Sequence, residues 1–184
     1  MKVLVDQSTI IVSGQASAQK EILNIARDVN DHNKPDPNIL GVGQVYQFEV
    51  DQYIKGNGPK TIYIVQSEGF LSGDQVGLNL NDANIEKARS QEKYIPIRLN
   101  NPYILFLVSS VGFPALKNYY RGTIQPWRFD ISNPDKVIPE SPWDGALQAF
   151  PRRTASVLLA QIANPELPSP PYPLPSYLGP TSYP

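Results

Sequence analysis

Tyr46, Tyr63, Tyr119, Arg121, Trp127 and Arg128 are the side chains best suited to hold a ligand. An aromatic face stacks on a base, a sugar or another flat group. A guanidinium near a tryptophan adds cation–π attraction and forked hydrogen bonding. Arg121 and Arg128 lie close to Trp127 along the chain, so these six residues form the expected ligand-binding set. Core packing is the simpler use of the same rings, because large aromatics are mostly interior. A nucleic-acid platform would need a basic groove around them. The chain has 16 basic and 17 acidic residues, a formal net charge of −1 and no long run of either sign. Nucleic acid is therefore not an expected partner.

A second cluster carries oxygen. Asp28, Asp31 and Asp36, interleaved with Asn30 and Asn33, are the candidate ligands for a hard cation such as calcium. The run lacks the glycine at the sixth position and the glutamate at the twelfth that an EF-hand loop requires. A polar turn loop is the simpler reading.

Catalytic chemistry finds little support. The single histidine, His32, sits among Asp and Asn in that loop, and histidine moves protons usefully only when packed neighbours orient it. No Gly-x-Ser-x-Gly elbow occurs, and Ser13, Ser67 and Ser72 have no evident base. Gly41-Val42-Gly43 precedes a strand pattern rather than a helix and so cannot cradle a phosphate. With no cysteine, thiolate catalysis, disulfides and zinc–thiolate sites are excluded. No cofactor motif is present. The remaining enzymatic option is a hydrolase built on carboxylates, for which Glu68, Asp74 and Glu92 lie in one long connection.

These residues need elements to position them. Tyr46, Phe48 and Val50 alternate with Gln47, Glu49 and Asp51, the pattern of a strand with one buried face. Lys55 to Lys60 supplies the turn, and Thr61 to Gln66 is a β-branched and aromatic second strand able to bury both faces. Thr9 to Ser13 predicts an earlier strand after a small apolar turn. Gly14 is a candidate bulge, and residues 16–28 read as strand rather than helix. Pro102 to Ser110 is a continuous apolar run, as in a fully buried strand. Tyr119 to Ile131 predicts another strand, at an edge or bulged because of Pro126, and Lys136 to Pro139 a short last one. Residues 30–43 and 67–94 read as loops, the latter able to hold a short helix at Ala83 to Gln91 capped by Asp82. Arg152 to Ile162 predicts a helix with Val157, Leu158 and Ile162 inward and Arg153 and Gln161 outward. Eight of the 19 prolines follow Ala163, so the end predicts extended polyproline II with Tyr172, Tyr177 and Tyr183 as anchors. Pro168-Ser169-Pro170-Pro171 has the spacing of a proline-rich recognition motif, although a strap is the simpler role.

Five or six strands, some long and bent, favour a mainly β, OB-like barrel over an immunoglobulin-like sandwich, which would need more and shorter strands. The expected organisation is a barrel domain at 1–140, a helical extension at 141–163 and a tail at 164–184. No segment has the roughly 18 apolar residues that span a bilayer. The three-residue apolar run near Met1 is too short for a signal peptide.

Gln52-Tyr53-Ile54-Lys55-Gly56, followed by Thr61-Ile62-Tyr63-Ile64, resembles the netrin-like and tissue-inhibitor-of-metalloproteinase group. Pro102 to Leu107 is similar to that group's following tyrosine–leucine strand, and Thr123 to Trp127 to its proline–tryptophan segment. The likeness spans about Ile10 to Ile131 and is greatest to cysteine-free bacterial members. It implies an OB-like fold, usually exported and usually binding something. Protease inhibition through an N-terminal cysteine does not carry over, because the chain has none. The expectation is a non-enzymatic module binding an unknown protein or small ligand, extracytoplasmic. An accessory part of a cell-envelope assembly is the alternative, and the carboxylate hydrolase the third reading.

Overall fold

A computed structural model of the chain describes residues 1–72, 79–109, 118–150 and 153–166. The elements are α1 (Lys2–Gln7), β1 (Ile10–Asn24), β2 (Ile39–Lys55), β3 (Thr61–Ser72) and α2 (Asp82–Gln91). They continue with β4 (Pro102–Ser109), β5 (Tyr119–Gly122), β6 (Arg128–Asp130), β7 (Ile138–Glu140), α3 (Asp144–Ala149) and α4 (Ala155–Ala163).

Five strands close on one another. β1 pairs antiparallel with β2 and with β4, β2 with β3, and β4 with β5. A parallel pairing of β3 with β5 completes the ring. β6 then adds to β4, and β7 to β6. The long β1 bends at a register shift between Ser13 and Gly14. A Cβ at Gly14 would lie 2.0 Å from the Glu49 carbonyl oxygen, so only glycine allows the two backbones to meet there.

β4 shows why a strand can be apolar throughout. Tyr103, Leu105 and Leu107 point into the ring, against Val12, Tyr46, Phe48, Ile62 and Ile64. Ile104 and Phe106 point outward, under Leu4, Ile11, Phe129, Leu158 and Ile162. Alternate side chains thus enter two separate cores. A third cluster, Leu40, Val42, Leu71, Ile85 and Ala88, seats α2 on the far ends of β2 and β3. Each large side chain so buried contributes about 1.5–3 kcal/mol.

The described strands number seven rather than five or six, and four helices form rather than one or two. β2 begins at Ile39 and β3 runs to Ser72, so parts of both expected loops are paired backbone. The expected single strand over Tyr119 to Ile131 is two short ones, because the backbone bends between Gly122 and Arg128. Residues 2–7 form a helix rather than a turn. Lys55 Nζ donates to the Val5 and Ser8 carbonyl oxygens at 2.6 and 2.7 Å, satisfying its end. The cap of α2 is Asn81, whose side chain accepts from Asn84 N–H, with Asp82 as the first helical residue. Gln161 and Arg153 are buried rather than outward, because Arg153 donates to Gln161 Oε1. The proline-rich end beyond residue 166, its three tyrosines and Asp74 lie outside the described residues. Among the described residues no helix is long and apolar enough to cross a membrane.

Candidate functional site

An open cleft of about 380 Å³ lies beside the ring. One wall is β3 at Gln66, Ser67 and Phe70, and the opposite wall is the segment from Arg121 to Trp127. Tyr94 and Ile95 bound a third side, and Trp143 stands at the rim, 66% exposed.

The floor is built around Arg128, which is 2% exposed. Its guanidinium donates to Gln66 Oε1 at 3.2 Å and to the Ile95 carbonyl oxygen. Gln66 Nε2 donates to the same Ile95 carbonyl at 2.7 Å. This triangle holds the extended backbone at Ile95 against β3 and fixes the width of the cleft. Arg128 Nε also lies 2.8 Å from Glu140 Oε2, as an ion pair without an aligned hydrogen bond. Burial pulls the Arg128 pKa down, and the Glu140 charge opposes that.

Behind the floor, Arg98 Nη2 reaches Asp130 Oδ2 at 2.6 Å and Glu140 Oε1 at 2.7 Å. Two guanidiniums thus face two carboxylates, the buried Arg128 from within and Arg98, 54% exposed, from the surface. Burial acts to raise the Asp130 pKa, but hydrogen bonds from Ser132, Asn101 and Arg98 outweigh it and hold the carboxyl at about 2. Glu140 is therefore committed to structural pairing.

Trp127 forms the aromatic part of the floor. Its ring centroid is 5.2 Å from the Arg128 guanidinium carbon. It packs so closely on Gly122 that a Cβ there would lie 2.3 Å from Trp127 Cγ. Trp143 is set by a turn in which its backbone N–H donates to Ser141 Oγ at 3.1 Å. These are the chain's two tryptophans, and both line the cleft. Two polar atoms in the wall, Thr123 Oγ1 and Gln125 Oε1, are buried and have no hydrogen-bond partner.

Of the six residues expected to bind a ligand, Arg121, Trp127 and Arg128 meet in this cleft. The other three do not. Tyr46 is fully buried in the ring, where its hydroxyl accepts from Gln19 Nε2 at 3.4 Å and burial raises its pKa. Tyr63 and Tyr119 stack on each other, centroids 4.9 Å apart, across the parallel β3–β5 pair. Tyr119 donates to Glu21 at 3.0 Å, and burial followed by that carboxylate pushes its pKa up to about 12.

The aspartates are occupied locally. Asp28 accepts from the backbone of Asn30 and Asp31, Asp31 from that of Asn33, and Asp36 from that of Asn38. Asp31 also pairs with Lys34 at 3.0 Å. Among the described residues no group of three or more metal-ligating side chains occurs. Of the carboxylates considered for hydrolysis, Glu68 is 2% exposed and tied to Arg89 at 2.6 Å, outside the cleft lining. Glu92 is exposed at the rim.

Thr123, Gln125, Glu140 and Trp143 were not among the expected site residues. Of these only Trp143 carried a signal in its residue type, a large amphipathic ring between Pro142 and Asp144. No family model, curated protein or solved structure matches the chain.

Proposed function

We propose that the chain is a non-enzymatic binding module that takes a small ligand in the cleft between Phe70, Trp127 and Trp143. One observation carries this reading: both tryptophans of the chain line one open cavity of about 380 Å³, a volume typical of small-molecule sites. Phe70 and Ile95, 41% and 37% exposed, extend the apolar surface around it. The charged groups beneath are consumed by one another, which suits a floor that orients a ligand rather than one that reacts with it. With this goes the reading of the five-strand ring as an OB-like barrel. The order β1–β2–β3–β5–β4 with a parallel β3–β5 closure, and a helix between β3 and β4, supports it. The kinship with netrin-like modules and an extracytoplasmic location rest on the sequence resemblance alone.

The test is a broad small-molecule screen read by thermal shift and tryptophan emission on the same samples. A cleft ligand raises Tm through preferential binding to the folded state and perturbs the emission. In Trp143→Ala both responses shrink. A screen that stabilises nothing, or ligands whose effect is unchanged in that variant, would overturn the reading.

A further inference from the structure

Resting on that reading, we infer that the cleft's ligand is a flat aromatic acid that also carries a hydroxyl group. Arg121, Thr123 and Gln125 alternate along one wall and all line the cleft, whereas the intervening Ile124 is turned to solvent. Each offers a different unmet requirement. Thr123 Oγ1 and Gln125 Oε1 are buried without a partner, and a buried polar atom left unpaired is costly. Rotation of either side chain brings its polar atom to the cleft surface, where a ligand hydroxyl, which both donates and accepts, meets it. Such a hydroxyl suits a threonine hydroxyl and either end of a glutamine amide.

Arg121 is exposed at the mouth, and its guanidinium makes no ion pair or hydrogen bond among the described residues. The other guanidinium in the cleft, Arg128, is neutralised by Glu140. Lys93 also lines the cleft as an exposed cation, but only Arg121 offers the planar fork that pairs with a carboxylate through two hydrogen bonds, so Arg121 is the cation assigned to it. The same lining supplies aromatic surface at two depths, from Trp127, 7% exposed, and Trp143, 66% exposed. A planar ring covers that surface by stacking. The arrangement places the hydroxyl inward and the acid outward.

The experiment uses the full chain and isothermal titration of a matched set. The compounds are 6-hydroxy-2-naphthoate, 2-naphthoate without the hydroxyl, 2-naphthol without the acid, and 2-naphthylmethylammonium with reversed charge. The hydroxy acid is expected to bind about tenfold more tightly than either single-group compound, the size of one good hydrogen bond, and the cation least well. Arg121→Ala should erase the advantage over 2-naphthol alone. Thr123→Val, which keeps the shape, should erase part of the advantage over 2-naphthoate alone. Equal affinities across the set, all weakened by Trp143→Ala, would overturn the ligand class and leave the cleft standing. So would failure of the whole set while other screened compounds bind in a Trp143-dependent way. Binding of the set unaffected by Trp143→Ala would overturn the cleft itself.

Discussion

Arg128 Nε lies 2.8 Å from Glu140 Oε2, and both side chains are at least nine-tenths buried, 3% and 10% exposed. The pair joins β6 to β7 at a register where Arg128 sits opposite Glu140. It also holds the guanidinium that positions Gln66 and the Ile95 carbonyl. Removing one buried charge leaves the other uncompensated, which costs far more than the pair is worth. Glu140→Gln should therefore destabilise the fold by about 3 kcal/mol, measured by urea denaturation. The double replacement Arg128→Met/Glu140→Leu should lose less than the sum of the two single changes, because no charge is then stranded. Strict additivity would show that the pair is not coupled.

Asp130 gives the fold an acid-sensitive point. Its carboxyl is held at about 2, below the ordinary value of 3.8. A depressed carboxyl contributes stability above its unfolded pKa and loses it as pH falls toward its folded one. The urea midpoint should therefore drop between about pH 4 and pH 2, and Asp130→Asn should flatten that drop. Glu68 acts in the opposite sense, since burial raises its pKa despite Arg89. Its contribution is fully present below the ordinary glutamate value of 4.5 and fades as pH rises from there through its raised folded value. Subtracting the Asp130→Asn profile from the parent profile removes the Glu68 part. A parent midpoint that does not fall over this window more steeply than the variant's would refute the assignment.

Legibility in the sequence followed the range of the interaction. Strand patterns were readable where alternation is local: Tyr46 and Phe48 point into the ring as their spacing predicts, and Pro102 to Ser109 is apolar because β4 faces two cores. Trp127 and Arg128 were found together because they adjoin. Glu140 and Trp143 were missed because only the β6–β7 pairing and the Ser141 turn bring them to the cleft. Residue type alone made Tyr46 a ligand candidate like Trp127, but the alternation that puts Tyr46 with Phe48 on the inward face already argued for the core it occupies. The unpartnered state of Thr123 and Gln125 has no sequence signal, since it is a property of what fails to pack beside them.

Lys55 has a role that its place in a hairpin turn did not reveal. Its ammonium donates to the Val5 and Ser8 carbonyl oxygens at the end of α1. Cations at a helix C-terminus offset both the orphan carbonyls and the dipole. Lys55→Met keeps the aliphatic stem and removes the donor. It should cost about 1–2 kcal/mol and release Leu4 from the outer core. Hydrogen exchange of the α1 amides should accelerate in this variant with little change in β3. Uniform acceleration across the chain would mean that α1 is not separately anchored.

Gly122 and Gly145 make a matched pair of glycine positions with opposite expectations. At Gly122 a Cβ meets the Trp127 ring at 2.3 to 2.6 Å, whereas at Gly145, inside α3, nothing lies within 4 Å. Gly122→Ala must push the indole into the cleft or distort β5. Overpacking of this kind costs about 1–3 kcal/mol, and the displaced ring narrows the ligand space. Gly145→Ala gains helix propensity and should leave stability unchanged or raise it by about 0.5–1 kcal/mol. Measured together by thermal denaturation and tryptophan emission, Gly122→Ala should lower Tm, shift the emission and weaken any cleft ligand. Gly145→Ala should alter neither emission nor binding. If Gly122→Ala left the emission and ligand affinity of the parent intact, the close packing of Trp127 on β5 would not be what shapes the cleft.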